Sequence, residues 1–211
     1  MFYSSDMNDL ETSSLAYFIC ISKAQELAYE KREDLRWEQS PFKWIKKLSS
    51  IKAKGKVFEI LLSLYVEGCG ILVKPRSGSG HDRRFDDAKT EIKGALLGID
   101  GTFTFNQVRD QDYEYLTLLG LTPTEAYLWI VPKSEVKDQW GTGLPFQHGG
   151  KKGVDTTWIS KMLPDNPPYW LQPWGGRLDQ GLKVLHKELN KRNVNHNQTG
   201  GKPNSSQGDA I

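Results

Sequence analysis

The sequence predicts a mixed α/β domain in which a central sheet is flanked by helices, in the element order α-β-β-β-(β)-α-β. Three observations lead to this fold class. A helical apolar pattern ends at a glycine cluster, several short segments then alternate in the manner of strands, and a continuous apolar run follows them. With 211 residues the chain is long enough to bury a full core, as one domain with appendages.

Two helices are predicted before the first strand. Residues 13–39 carry an imperfect apolar stripe, which Ser22 interrupts and Pro41 ends. A second helix over residues 56–67 places Phe, Leu and Tyr side chains at helical spacing, and it ends at the glycines flanking Cys69.

Short strands are predicted next. One covers residues 71–74, and a serine-glycine turn separates it from a hairpin that starts at Asp82 and ends near Leu97. Asp100-Gly101 is a two-residue turn signal, and residues 102–108 then alternate apolar and polar side chains as a half-buried strand does.

A crossover unit is predicted after this strand. Asp110 or Asp112 would cap a helix over residues 115–119, and the apolar run 126–131 is typical of a strand covered on both faces. Strand, helix and strand over residues 102–131 therefore predict a right-handed crossover.

The pattern weakens in the C-terminal third of the chain. Residues 138–176 are rich in Gly, Pro and Trp, with a short helix predicted near residues 155–162 and a final helix over residues 178–189. The polar tail from Asn193 is predicted to be disordered. The predicted organisation is a helical and basic N-terminal segment (1–54), a core (55–133), an extension packed on the core (134–192) and a tail (193–211).

Charge is unevenly distributed, although the formal net charge is only +2. Residues 1–39 carry eight acids and four bases, whereas six lysines and no acid lie between Lys43 and Lys56. A basic segment of this kind can contact a phosphate backbone. A solvated helix or loop face is an equal alternative.

Composition and spacing exclude several classes of protein. No apolar run reaches the length of a membrane span and no signal pattern precedes the first helix, so we expect a cytoplasmic protein without a membrane partner. Cys20 and Cys69 are the only cysteines, which excludes a Cys-rich zinc site and fits a reducing compartment. The four histidines lack metal-ligand spacing, and neither a nucleophile elbow nor a nucleotide-binding loop is present.

The predicted hairpin brings acidic residues together. If Asp86 and Asp87 form the turn, Asp82 lies opposite Glu91 on one face, with Cβ atoms about 5 Å apart. Lys93 shares that face, because strand residues two apart project to the same side. Two carboxylates this close repel each other unless a cation separates them, so the spacing predicts a metal site. A one-residue register shift would instead make Asp86 or Asp87 the ligand.

Five motifs follow one another along the chain: Gly55-x-x-x-Glu59, Ile71-Leu-Val-Lys74, Ser77-Gly-Ser-Gly80, Asp82 and Glu91-Ile-Lys93. Their order resembles that of the PD-(D/E)xK nuclease superfamily, and also that of archaeal Holliday-junction resolvases. The resemblance covers residues 55–133 and implies a restriction-endonuclease-like core; the part from Phe103 to Lys133 looks more like restriction enzymes. His81 stands where the superfamily name expects a proline, which leaves Asp86 and Asp87 open as alternative ligands.

Both the resemblance and the chemistry predict phosphodiester hydrolysis with Mg²⁺. Asp82 and Glu91 are the predicted metal ligands, with the carbonyl of Ile92 as a third oxygen. Lys93 would place its ammonium at the attacking water or at the developing phosphorane charge. Glu59 is predicted to be a supporting acid or a ligand to a second metal, with a salt bridge to a nearby lysine as the alternative.

Further residues are predicted to contact the substrate. Gln107 would orient the groups around the metal and Arg109 would contact a phosphate, with a capped strand end and a surface charge as even alternatives. The glycine-rich segment 147–153 would lie along DNA, because small residues let the backbone approach phosphates. The complete predicted DNA-binding set is Lys52, Lys54, Lys56, Ser77, Arg109, Lys151 and Lys152.

These observations predict a Mg²⁺-dependent DNA endonuclease, most like a type II restriction endonuclease. A homodimer is expected, because symmetric cleavage of two strands usually uses a two-fold pair of active sites. One alternative is a Holliday-junction resolvase or DNA-repair nuclease, and another is a non-catalytic DNA-binding module of the same fold. No organic cofactor is expected.

Overall fold

The computed structural model describes residues 18–25, 34–145 and 156–199. The chain divides into two compact units, residues 1–38 and residues 39–211. In the first unit, residues 18–25 are helical. This confirms part of the helix predicted over residues 13–39; residues 13–17 and 26–33 lie outside the described residues.

The second unit contains four helices and eight strands among its described residues, with one 3-10 segment (Tyr169–Trp174). No helix in the described part of the chain is long and apolar enough to cross a membrane. The helices are α1 (Lys43–Lys47), α2 (Ile51–Gly68), α3 (Lys133–Asp138) and α4 (Leu178–Thr199). The strands are β1 (Val73–Pro75), β2 (Arg83–Phe85), β3 (Ala88–Leu96), β4 (Phe103–Arg109), β5 (Tyr115–Leu121), β6 (Ala126–Pro132), β7 (Thr156–Met162) and β8 (Gly175–Arg177).

Six of these strands form one mixed sheet in the order β1-β2-β3-β5-β6-β8. Strands β3 and β5 are parallel, and every other neighbouring pair in this sheet is antiparallel. Strands β4 and β7 form a separate antiparallel pair with irregular register. The predicted mixed α/β class with a central sheet is confirmed, but the element order differs.

The helix predicted over residues 115–119 is wrong, because this segment is strand β5. Every residue from Leu116 to Leu121 is buried, as expected of a strand covered on both faces. Its continuous apolar run has no period, so it fits either a strand or a buried helix when read alone. The crossover predicted over residues 102–131 is therefore wrong too: β5 and β6 form an antiparallel hairpin.

The C-terminal third also differs from its prediction. Residues 156–162 form strand β7 and not a helix. The final helix is confirmed and continues to Thr199, past the boundary at Asn193 where a disordered tail was predicted. Residues 200–211 lie outside the described residues. Strand β8 joins the main sheet and β7 pairs with β4, so residues 156–177 complete the two sheets.

The two faces of the main sheet have different covers. Helix α2 packs on β3, where the ring of Phe58 lies directly over Gly94. On the other face the β4–β7 pair covers the sheet, and a Cβ atom at Gly120 would come within 2.7 Å of the Phe103 ring. Phe103, Phe105 and Trp129 are fully buried in this aromatic layer.

We expect Gly94→Ala to destabilise the protein, because the added methyl group would overlap the Phe58 ring. Overpacking of this kind costs about 1–3 kcal/mol. Gly55→Ala is the matched control, since this exposed helical glycine has open space at its Cβ position. It should stabilise the fold by about 0.5–1 kcal/mol. Urea unfolding of both variants checks this, and equal midpoints would contradict the packing of α2 on β3.

Candidate metal centre

The β2–β3 hairpin has the predicted register. Arg83 pairs with Thr90 and Phe85 pairs with Ala88, so Asp86 and Asp87 are the two turn residues. Both have left-handed backbone conformations, with φ of 46° and 68°. A two-residue turn with positive φ at both positions matches the twist of the flanking strands. Asp82 directly precedes these paired residues, and its carboxylate contacts that of Glu91, as the predicted register requires.

Two hydrogen bonds to β3 hold Asp82 in place. Its backbone N–H donates to the carbonyl of Thr90 (2.9 Å), the residue that pairs with Arg83. Its side-chain Oδ2 accepts the backbone N–H of Ile92 at 2.8 Å. The carboxylate thus accepts a hydrogen bond from the edge of β3 that the backbone of a longer β2 strand would otherwise accept. Its orientation is fixed by main-chain geometry.

Glu91 is almost completely buried, with 5 % of its surface exposed. Lys93 Nζ lies 2.7 Å from Glu91 Oε1. Burial raises the pKa of Glu91, the ammonium of Lys93 opposes this shift, and the neighbouring carboxylate of Asp82 adds to it. The net shift is upward, so the negative charge of Glu91 is disfavoured in the folded protein. A cation at this position would relieve that penalty.

The backbone of Ile92 supplies a further oxygen. In a strand, the N–H and C=O of one residue point to the same edge. The Ile92 N–H points to Asp82, so the Ile92 carbonyl points to this edge as well, beyond the end of β2. The candidate metal centre therefore combines two carboxylates and one carbonyl.

This donor set fits a hard cation that keeps water and substrate oxygens in its coordination sphere. Within residues 18–25, 34–145 and 156–199, no group of three or more His, Cys, Asp and Glu side chains is arranged to hold a metal ion. Mg²⁺ is commonly bound by one or two carboxylates together with waters and phosphate oxygens. A closed structural zinc site would need four protein ligands.

Glu59 lies on the other face of the sheet. Its Oε2 pairs with Lys56 Nζ (2.8 Å) and with Arg83 Nη2 (3.3 Å). Arg83 pairs with Thr90 and shares its face, whereas Glu91 projects to the opposite side. This geometry favours the salt-bridge alternative. Arg83 Nη1 also donates to the Asp82 carbonyl at 2.8 Å, so Arg83 links Glu59 to the backbone of Asp82.

Of the other predicted contact residues that the structure describes, Lys54 is half-buried and the rest are exposed. Gln107 and Arg109 are on β4, where Gln107 has φ of 56° next to a register shift. Both side chains are exposed, and they belong to the smaller sheet. Ser77 lies in the exposed loop before Asp82. Lys52 and Lys54 are in the first turn of α2, whereas Lys151 and Lys152 lie outside the described residues.

Three residues near the centre were not among the predicted site residues. Tyr113 is buried, and its pKa is raised by burial and by the nearby charge of Glu91. Lys133 Nζ lies 5.1 Å from the centroid of the Tyr113 ring and 2.9 Å from Asp110 Oδ1. His81 is 3 % exposed and directly precedes Asp82. Their placement depends on long-range packing, so no residue spacing could have indicated it.

Comparisons with known proteins give a similarity to solved structures. No family model matches the sequence, and no curated protein matches it. The structure of a bacterial homing endonuclease, I-Ssp6803I, is similar over 69 % of this chain and 99 % of that chain, with 13 % sequence identity and a TM-score of 0.42. The function is argued below from the residues of this chain.

We expect Mg²⁺ to raise the melting temperature of the wild-type protein but not that of Glu91→Gln. In EDTA the variant should melt a few degrees higher than wild type, because it removes a disfavoured buried charge; about 1 kcal/mol corresponds to about 2–4 °C at this chain length. Differential scanning fluorimetry checks both effects. Glu67→Gln on the exposed face of α2 is the control and should respond to Mg²⁺ as wild type does. An equal response of Glu91→Gln to Mg²⁺ would place the ion elsewhere.

We expect the double variant Asp86→Asn, Asp87→Gly to keep the β2–β3 hairpin and the predicted DNA cleavage. Asparagine retains the side-chain acceptor that Asp86 offers to the N–H of Leu72 (2.9 Å). Glycine accepts the left-handed conformation, and the change at residue 87 removes exposed ion pairs with Lys74 (2.8 Å) and Arg84 (3.6 Å). Activity assays and melting curves of this variant check the claim. An inactive, fully folded variant would assign the metal to Asp86 or Asp87.

Proposed function

We propose that the protein is a Mg²⁺-dependent DNA endonuclease that hydrolyses phosphodiester bonds. One observation carries the proposal: the buried carboxylate of Glu91 contacts both Asp82 and the ammonium of Lys93, which lies 2.7 Å away. Hydrolysis of a phosphodiester needs an activated water, a polarised phosphoryl oxygen and charge compensation at one place. These three side chains supply the groups for that chemistry.

Asp82, Glu91 and the Ile92 carbonyl would hold Mg²⁺, which, when bound, polarises a phosphoryl oxygen and lowers the pKa of bound water. Asp82 is oriented by the N–H of Ile92, so it needs no rearrangement to present its other oxygen. Lys93 is kept beside Glu91 by their ion pair, and its side chain is 21 % exposed. Its ammonium can therefore face the attacking water and the negative charge that develops on phosphorus.

This arrangement favours a nuclease over a non-catalytic DNA-binding module. A module that had lost cleavage would tolerate one of Asp82, Glu91 and Lys93 turned away from the others. All three converge, and Glu91 remains buried although its charge is disfavoured there. Retention of a buried, destabilising charge is typical of functional sites.

The finer assignment within nucleases is also a proposal. We propose a cytoplasmic enzyme most like a type II restriction endonuclease, acting as a homodimer so that two copies of the site face the two DNA strands. The lysines at the start of α2, Lys52 and Lys54, would contact the phosphate backbone. A Holliday-junction resolvase or repair nuclease built on the same centre is the second candidate, because the site itself carries no information on DNA shape.

We expect Asp82→Asn and Glu91→Gln to abolish cleavage with Mg²⁺ while DNA binding is kept or becomes tighter, since each variant removes a negative charge that faces phosphate. The losses should exceed about a hundredfold in kcat. Asp138→Asn, an exposed change at the end of α3, is the matched control and should cleave normally. Normal cleavage by both site variants would refute the assignment.

The substrate class can be tested in the same assay. The wild-type protein is incubated with Mg²⁺ and a panel of plasmids and synthetic four-way junctions. Discrete plasmid fragments would support a restriction-type enzyme, and cleavage of junctions alone would support a resolvase. Cleavage of neither substrate by folded protein would favour the non-catalytic module.

A further inference from the structure

His81 occupies an unusual position for a buried polar residue. It is 3 % exposed, and its Nε2 accepts the backbone N–H of Ser77 at 3.3 Å. This bond requires an unprotonated Nε2, so the proton of the neutral ring is on Nδ1. Nδ1 is buried and has no hydrogen-bond partner within the part of the chain that the structure describes.

Stability alone does not account for this histidine. A buried donor without a partner is destabilising, and an apolar side chain of similar size would fill the same space without that penalty. Among the described residues, His81 hydrogen-bonds the backbone of the loop just before it, and its ring also lies near enough to the Asp112 carboxylate to interact electrostatically. The imidazole of His81 therefore serves to hold the conformation of that loop.

The loop of residues 77–80 leaves its main chain accessible to a ligand. Ser77, Gly78 and Ser79 are exposed, and Gly78 and Gly80 have φ of 90° and 97°. Gly80 lies so close to the segment around Asp112 that a Cβ atom at residue 80 would be 2.8 Å from the backbone N of Asp112. The loop is thus held at both ends, at Ser77 by the hydrogen bond to His81 and at Gly80 by the packing against Asp112. Asp82 follows two residues after Gly80. Its small side chains leave the main chain accessible beside the metal centre.

We propose that His81 is a positioning residue that holds the 77–80 loop in the shape in which its backbone contacts a DNA phosphate next to Asp82. Backbone N–H groups in loops are common phosphate donors, and they fix the register of the duplex without reading sequence. A phosphate held here would place the neighbouring phosphodiester at the carboxylate pair. This inference rests on the proposed DNA-cleaving function, and it adds a binding role for a residue that does not itself touch the reacting atoms.

Two variants separate this role from simple packing. His81→Gln keeps an acceptor close to the place of Nε2, whereas His81→Leu fills the space without an acceptor. Each is measured in binding to a fluorescein-labelled duplex and to a labelled four-way junction, with Ca²⁺ in place of Mg²⁺ to prevent cleavage. Fluorescence anisotropy gives Kd, and melting curves give stability.

We expect His81→Leu to bind the better of the two DNA probes about tenfold more weakly than wild type, with an unchanged or higher melting temperature. His81→Gln should bind within about threefold of wild type. In cleavage assays the leucine variant should raise KM more than it lowers kcat. Equal Kd for wild type and both variants would overturn the proposal, as would equal weakening by both variants.

Two further outcomes are decisive. If His81→Leu does not fold, His81→Asn, whose shorter amide cannot reach Ser77, takes its place with the same expected loss. If the wild-type protein binds DNA but never cleaves it with Mg²⁺, the proposed nuclease function fails. The ratio of Kd values between the leucine and glutamine variants still decides the role of His81 in that case.

Discussion

The candidate metal centre depends on the register of the β2–β3 hairpin. Side chains alternate between the faces of a strand, so a one-residue slip would carry Glu91 and Lys93 to the α2 face and separate them from Asp82. Two features fix the register. The left-handed turn at Asp86 and Asp87 sets the loop length, and the N–H of Ile92 captures the Asp82 carboxylate at the open end. The geometry of the site is thus determined at both ends of a short ladder.

Helix α4 also stabilises the β2–β3 hairpin. Arg192 of α4 pairs with Glu114 (2.7 Å) and donates to the carbonyls of Asp86 (3.4 Å) and Asp87 (3.3 Å). Glu114 in turn accepts the N–H of Lys89 at 3.1 Å. A segment far along the chain therefore supports the turn. Arg192 lies three residues beyond Leu189, where the helix was predicted to end, so these contacts support that additional part of the helix.

The hairpin could be predicted from sequence because its determinants are local. A two-residue turn and a period of two settle which residues face each other, so Asp82, Glu91 and Lys93 could be placed together before the fold was known. The helix predicted at residues 115–119 failed because an apolar run without periodicity does not distinguish a strand from a helix. Glu59 could not be placed, since the face it occupies depends on how α2 packs over Gly94. The burial of His81 and Tyr113 could not be predicted because it arises only in the assembled domain; the sequence showed of His81 only that it stands where the superfamily name expects a proline.

The central claim is that a divalent cation binds between Asp82 and Glu91, and a crystal grown with Mn²⁺ tests it most directly. Mn²⁺ suits the same oxygen ligands as Mg²⁺ and gives an anomalous signal. We predict an anomalous peak about 2 Å from carboxylate oxygens of Asp82 and Glu91, with the Ile92 carbonyl as a further ligand. A peak at Asp86 or Asp87, or no peak in a crystal whose carboxylate pair is open to solvent, would contradict the account.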